Sequence, residues 1–185
     1  MEAYQAALPA RTRLTIINAP GGNGGPAGPL DAFPQLRRIV EEWDLGFTYD
    51  TSYAASAGWV ITEPLPRMGQ RLHNVLLGDF RQALPSGPQR AVPILPADVR
   101  AWQLHRVPGD GVLPLRAFLR LLLRRKYEGL VTLNLRPRGL AAWWPGAALE
   151  ALAASVSFCR TTVRDYTPGS LGHQERRVRA TTNDD

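Results

Sequence analysis

The sequence is poor in cysteine and has no long apolar run. Cys159 is the only cysteine among 185 residues, which excludes an internal disulfide and is typical of a reducing compartment. No stretch of about 18 apolar residues occurs, so the sequence predicts no membrane span. Residues 1–13 also lack the apolar centre of a secretion signal. We therefore expect a cytoplasmic protein that is not attached to a membrane.

Lysine is almost absent as well, although the chain is basic. Lys126 is the only lysine; the formal net charge is +6 and every other side-chain cation apart from histidine is arginine. A basic protein can attract nucleic acid. The skew towards arginine is more typical of coding bias than of a built binding surface, and part of the excess lies in the C-terminal tail. We therefore do not expect a nucleic-acid partner.

The chain has 44% hydrophobic residues, which is enough for one domain with a buried core. Short apolar strands alternate with amphipathic helices, and this order predicts parallel strands joined by helical crossovers. The predicted fold class is α/β, a partial (β/α) TIM-barrel-like fold of about four strand–helix units. We expect a single domain over residues 1–165 and a flexible basic tail over residues 166–185. The predicted strands are Leu14–Asn18, Leu45–Asp50, Leu72–Leu77 and Leu130–Leu135.

Three helices are predicted from apolar residues that recur three or four positions apart. The first contains Leu36, Ile39, Val40 and Trp43. The second is the clearest, with a core stripe that consists of Leu115, Phe118, Leu119, Leu122 and Leu123. Its opposite face carries arginines that we expect in solvent: Arg116, Arg120 and Arg124. The third contains Leu149, Leu152, Ala153 and Val156.

Two polar residues stand at the C-terminal ends of predicted strands. Asp50 and Asn134 lie on the side of their strands opposite the large apolar residues. In α/β barrels the active site is built at these strand ends, which makes the two residues candidates for a site. For Asp50 alone, a turn or helix-cap role is the alternative.

Five segments in order resemble the C-terminal half of the xylose isomerase-like TIM barrel superfamily, which includes sugar phosphate isomerases and epimerases. The resemblance covers about Leu14 to Phe158. YDTSYA is similar to a strand end that reads Asp-Thr-x-His-Ala, and HNVLLGDF to one that reads His-Val-His-Leu-x-Asp. The remaining segments are LTIINAP, LHRVPGDGVLPL, which resembles a His-x-x-Pro-Gly-x-Gly stretch, and VTLNLRP.

The resemblance implies a divalent metal held by carboxylates and histidines at the strand ends, and in this chain most of those ligands are replaced. Asp50 and His105 are retained as candidate ligands. The other expected ligands fall at Ile17, Tyr53, Leu76 and Asn134. We expect no cofactor or a weakly bound Mn, Co, Mg or Zn, and we assign no catalytic residue. The candidate pocket comprises Asp50, Tyr53, Gln103, His105, Asn134 and Arg136.

Three functions remain open at this point. The first is a sugar phosphate isomerase/epimerase-like protein with weak or lost catalysis that binds a sugar or sugar phosphate. The second is an active metal-dependent sugar isomerase or epimerase completed by a second chain, and the third is a non-enzymatic interaction module. Four strands also leave two open sheet edges and, we expect, an open apolar inner face. A second copy or a partner chain is expected to cover them.

Overall fold

Four parallel strands form one sheet in the order β1-β2-β3-β4. The computed structural model describes residues 12–18, 33–81, 103–136 and 144–167. The strands are β1 (Thr15–Ile17), β2 (Gly46–Asp50), β3 (Leu72–Leu77) and β4 (Leu130–Leu133). The helices are α1 (Phe33–Glu42), α2 (Thr51–Ser56), α3 (Leu65–Met68), α4 (Leu115–Arg124) and α5 (Pro145–Arg164), and a 3₁₀ turn spans Gly69–Arg71.

The predicted α/β class and the four parallel strand–helix units are confirmed. The strand Leu72–Leu77 has the predicted bounds, whereas the first and last strands are shorter than predicted. The chain leaves the hydrogen-bonding pattern of β4 after Leu133, so Asn134 lies directly beyond the strand. None of the helices in the described ranges is long and apolar enough to cross a membrane. The predicted tail lies outside the described residues from position 168 onwards.

The core lies between the sheet and the helices on one of its faces. Phe47 and Tyr49 of β2 point to this face, where the Tyr49 ring stacks on Phe118 of α4 with 5.9 Å between ring centroids. The Tyr49 hydroxyl donates to the Ile61 carbonyl at 3.1 Å, which satisfies its only buried polar atom. Side chains alternate between the two faces of a strand, so Asp50, which follows Tyr49, points to the face opposite the core.

The opposite, inner face of the sheet is mostly polar, and the expectation of an open apolar inner face was wrong. The Thr15 and Thr48 hydroxyls lie 2.8 Å apart on β1 and β2. On β3 and β4, Thr132 donates to the Asn74 side chain at 3.1 Å. Strand alternation distinguishes the two faces but does not require both to be apolar. Cross-strand hydrogen bonds therefore pair the polar side chains along this face.

Four of the five residues of the predicted α4 stripe are core and Leu123 is half-buried, while the arginine face is not uniformly solvated. Leu115, Phe118, Leu119 and Leu122 are buried. Arg116 packs over the Phe158 ring of α5 at 4.5 Å and donates to the Thr162 hydroxyl at 3.2 Å. Arg120 is half-buried, so its predicted exposure was wrong. Arg116 therefore contacts α5, whose position the periodicity of α4 cannot reveal.

The apolar stripe predicted for α1 is partly buried, whereas the stripe predicted for α5 is not the face that packs on the fold. In α1 the stripe residues Leu36 and Val40 are buried, whereas Trp43 lies beyond the helix end and is 46% exposed. In α5 the predicted stripe faces solvent within the described structure, with Leu149 70% and Leu152 41% exposed. The residues of α5 that approach α4 are instead Phe158 and Thr162. The outer apolar face of α5 is thus uncovered by the described residues.

Candidate functional site

Asp50 ends β2 and caps the helix that follows. One carboxylate oxygen, Oδ1, accepts a hydrogen bond from the Tyr53 backbone N–H at 2.9 Å, which is the N-cap interaction of α2. The Asp50 backbone is clamped by Asn18, whose side chain donates to the Asp50 carbonyl at 2.9 Å and accepts from its N–H at 2.7 Å. The capping role is therefore real, and it leaves Oδ2 free to act elsewhere.

The second oxygen of Asp50 faces the end of β4. Asn134 donates its side-chain N–H to Asp50 Oδ2 at 2.8 Å, across two strands of the sheet. The expected convergence of these two strand ends is thus a direct hydrogen bond. Arg136 lies close enough to lower the pKa values of Asp50 and His105 electrostatically. The site therefore combines one carboxylate, one amide and one nearby guanidinium.

His105 is the third side chain at this edge, and its backbone is held in an unusual conformation. Its φ is +56°, in the left-handed region that few non-glycine residues adopt. The Ser52 hydroxyl accepts the His105 N–H at 3.1 Å, and the Arg136 N–H donates to the His105 carbonyl at 3.3 Å. Such strain persists only where the surroundings fix it and is concentrated at functional sites.

The His105 ring is buried and one of its nitrogens has no partner in the described structure. The residue is 2% exposed, and Nδ1 lies 3.7 Å from Asp50 Oδ2, beyond hydrogen-bond range. A buried, unpaired polar atom costs free energy, so it normally has a bonding partner. An oxygen-bearing group within hydrogen-bond reach of Nδ1 would satisfy this nitrogen, whereas Asp50 Oδ2 already accepts from Asn134.

Burial sets the protonation of this pair. It raises the pKa of Asp50 to about 6, against hydrogen bonds from Tyr53 and Asn134 that lower it. Burial and then Arg136 lower the pKa of His105 to about 4. The 3.7 Å separation is within ion-pair reach, but desolvation outweighs attraction at this distance. At neutral pH we therefore assign an ionised Asp50 beside a neutral His105.

The other two candidate pocket residues have different positions. The Tyr53 ring packs edge-on against His105 with 4.8 Å between centroids, so it borders the site. Gln103 lies at its periphery, where its backbone carbonyl accepts from the Arg81 N–H at 2.9 Å. Its side chain is half-buried. The structure thus brings Asp50, Tyr53, His105, Asn134 and Arg136 together and places Gln103 on the adjoining segment.

A buried carboxylate that the sequence did not single out organises the loop beside the site. Asp79 is fully buried and accepts hydrogen bonds from four backbone N–H groups. The donors are Phe80 at 2.8 Å, Gly109 at 2.9 Å, Leu113 at 3.0 Å and Gly111 at 3.1 Å. The contacts span more than 30 residues of sequence, so only the Asp at the end of the HNVLLGDF segment hinted at this role.

Close packing at the end of β3 requires glycine. A side chain at Gly78 would approach the Asn134 carbonyl to 2.8 Å and the His105 Cα to 3.1 Å. The Thr51 hydroxyl also donates to the Gly78 carbonyl at 2.6 Å, while Ser52 donates to the Asp79 carbonyl at 2.9 Å. The start of α2, the end of β3 and the His105 segment are thereby fixed against one another.

The residues present do not form a full site for a divalent metal. Asp50 Oδ2 and His105 Nδ1 are suitable donor types, but Asn134 directs an N–H towards the same oxygen. The half-buried Ile17 and Leu76 carry no lone pairs. Within the described ranges no three His, Cys, Asp or Glu side chains lie close enough to hold an ion. Hard divalent ions usually take about six ligands, so this donor set does not match one.

Two open cavities of the described structure lie at the other end of the strands. One of about 640 Å³ is lined by residues before β3 and after α4, including His73 and Tyr127. Another of about 560 Å³ borders the start of β1 and β2 and also includes His73. Both lie at the N-terminal ends of the strands, whereas active sites of α/β barrels are built at the C-terminal ends. Size alone therefore does not locate the candidate site.

No family model and no curated protein sequence matches this chain. Solved structures do match it. A D-allulose 3-epimerase from Methylomonas sp. aligns with a TM-score of 0.55 at 13% identity, over 81% of this chain and 48% of the epimerase. The chain therefore shares the fold of about half of this epimerase, as half of a TIM barrel.

Two further structures share this half-barrel. A D-tagatose 3-epimerase-like protein aligns with a TM-score of 0.51 at 15% identity, over 82% of this chain and 49% of its own. The probable 3-DHS dehydratase AsbF of Bacillus anthracis, involved in petrobactin synthesis, aligns with a TM-score of 0.51 at 9% identity. That match covers 79% of this chain and 48% of AsbF. The chain thus spans about half the length of each of these proteins.

Proposed function

We propose that this chain is a sugar isomerase/epimerase-like protein that binds a sugar or sugar phosphate at its strand-end site and has weak or no catalysis. The observation that carries this proposal is the buried, unpartnered Nδ1 of His105, 3.7 Å from Asp50 Oδ2. Two of the three similar structures are sugar epimerases or epimerase-like, which supports the choice of ligand class.

A hydroxyl-rich ligand fits the chemistry of this pair. A hydroxyl both donates and accepts, so it satisfies His105 Nδ1 in either neutral tautomer. Ionised Asp50 accepts only, and neighbouring hydroxyls of a sugar could donate to Nδ1 and Oδ2 together. Arg136 supplies positive charge nearby, which suits a phosphorylated sugar. The pair thus favours polyols, with phosphate as an added preference.

Weak or lost catalysis follows from the same donor set. A carboxylate with a pKa of about 6 can move a proton near neutral pH. The metal that would polarise a carbonyl beside it needs more donors than Asp50 and His105 provide. We therefore propose binding without efficient turnover and assign no catalytic residue. The alternative, an active metal-dependent enzyme, needs a second chain to add ligands to these two.

The proposal is tested by titrating the purified chain with ketohexoses, aldohexoses and their phosphates, followed by isothermal calorimetry and by the ring signals of His105. We expect Kd values of about 1 mM, which corresponds to a binding free energy of about −4 kcal/mol. His105→Asn, which tolerates a left-handed backbone, should abolish binding. His73→Asn at the opposite end of the strands is the matched control and should bind as before.

Parallel titrations with Mn, Co, Zn and Mg separate the alternatives. We expect no ion to bind more tightly than about 10 μM, or about −7 kcal/mol. Absence of any sugar-dependent shift at His105 would overturn the binding proposal. A stoichiometric metal that binds tightly and is lost in Asp50→Asn would instead support the metal-dependent enzyme.

A further inference from the structure

We propose that two copies of this chain close one eight-stranded barrel, with β4 of each copy pairing with β1 of the other. This inference does not depend on the sugar-binding proposal. Within the described residues, β1 and β4 are the two edges of the sheet and all strands are parallel. A twofold axis along the barrel preserves strand direction, so both new pairings would also be parallel. The similar structures, about twice as long as the matched region, show the size of such an enclosure.

The free edge of β4 presents backbone groups that could pair with another strand. The Asn134 N–H donates to the Leu77 carbonyl at 2.9 Å, so Asn134 and, by alternation, Thr132 direct their backbone groups to β3. Val131 and Leu133 therefore direct their N–H and C=O groups to the open edge. Val131 is also 42% exposed, which leaves an apolar edge of the kind that recruits another strand.

The two edges carry complementary charges. Glu128 stands two residues before β4, and Arg13 stands two residues before β1. Both are exposed, and they occupy equivalent places at the start of the strands that would pair. An opposite-charge pair at this position favours the β4–β1 register over a contact between two copies of the same edge. This pair of opposite charges is the feature of the two edges that favours a second copy as the partner, although Arg125 and Lys126 are also exposed near Glu128.

Helix α5 provides the apolar surface that such a barrel needs. Leu149, Leu152 and Val156 are 70%, 41% and 37% exposed. At about 100° per residue, this stripe lies roughly 130° around the helix from Phe158 and Thr162, which contact α4. A helix that follows the last strand of one copy would therefore cover the first strand of the next, as the outer helices of a barrel cover its strands.

The inner face can be enclosed without leaving its known polar pairs unsatisfied. Thr15 pairs with Thr48, and Asn74 pairs with Thr132, before any partner arrives. Enclosure of hydrogen-bonded groups costs far less than enclosure of free ones. The second copy would bring its own Asp50 cluster to the same barrel mouth, so the C-terminal mouth would contain both sites.

Sedimentation equilibrium and light scattering of the full chain over a wide concentration range test the proposal. We expect a dimer with twice the chain mass of 20.4 kDa. Glu128→Arg or Arg13→Glu alone should weaken dimerisation at least about tenfold, and the double reversal should restore it. Val131→Pro, which removes an outward N–H, should abolish the dimer.

Control variants distinguish the loss of the dimer interface from misfolding of the chain. Leu152→Asp should dissociate the dimer, whereas Ala154→Asp, exposed on another side of α5, should not. Circular dichroism must show that each variant keeps its helices. A monodisperse 20.4 kDa species at all concentrations would overturn the proposal. So would a dimer that is indifferent to Glu128→Arg, Val131→Pro and Leu152→Asp, because its interface would lie elsewhere.

Discussion

The opposing titrations of Asp50 and His105 predict a pH dependence of stability that is hidden in the wild type. Asp50 has a pKa raised from 3.8 to about 6, so its contribution to the free energy of unfolding falls as pH rises from 4 to 6. His105 has a pKa lowered from 6.5 to about 4, so its contribution falls as pH drops from 6.5 to 4. The two changes oppose each other over nearly the same window.

The magnitude of each change follows from the shifts. At about 1.36 kcal/mol per pH unit, each side chain contributes roughly 3 kcal/mol across the window. In wild type the two nearly cancel. Asp50→Asn keeps a good helix cap and removes one of them, so its stability should fall by up to roughly 3 kcal/mol from pH 6.5 to pH 4, relative to wild type. His105→Asn should show the opposite trend.

Urea unfolding at closely spaced pH values measures this difference. Asp110→Asn, which removes a partly exposed carboxylate bonded to Arg106, is the control and should follow the wild-type curve. The reasoning is refuted if Asp50→Asn also follows the wild-type curve. It is equally refuted if the His105 ring titrates at or above pH 6.5, because the pair would then be an ion pair rather than two groups perturbed by burial.

Further predictions concern the core and the loop. Leu119→Ala should lower the free energy of unfolding by about 2–5 kcal/mol in chemical denaturation, because Leu119 is 4% exposed. Arg124 is exposed, so Arg124→Ala should lower it by less than about 0.5 kcal/mol. Reversed costs would mean that the predicted buried face of α4 is wrong. Asp79→Asn should cost at least about 3 kcal/mol and speed amide exchange at Gly111, because buried N–H donors lose their acceptor. Unchanged exchange there would show that the loop does not depend on the carboxylate.

Sequence periodicity predicted where the helices lie better than it predicted which of their residues are buried. The helix predicted over Leu115–Leu123 begins at the expected residue and ends one residue later, because its apolar stripe is continuous. The predicted stripe of α5 is also regularly spaced, yet Leu149, Leu152 and Val156 are exposed in the described structure. Periodicity identifies the apolar face of a helix but carries no information about what covers it. The half-buried Arg120 was missed for the same reason.

The candidate site was partly predictable because strand ends are visible in sequence. Asp50 and Asn134 could be paired from strand parity and order, and they form a hydrogen bond. Asp79 could not be assigned its role, since three of its four donors come from a loop 30 to 34 residues away. The left-handed backbone of His105 is likewise imposed by tertiary contacts with Ser52 and Arg136 rather than by local sequence.

Several hydrogen bonds that fix the strand ends come from residues other than the expected metal ligands. Ser52 holds the backbone of His105, and Asp79 holds the neighbouring loop, whichever side chains point to the barrel axis. Side chains at the ligand positions can therefore be substituted while the hydrogen bonds that hold the backbone are kept. This separation makes the chain a suitable host for grafting, in which Ile17→Glu and Leu76→His would install new ligands beside Asp50 without rebuilding the backbone.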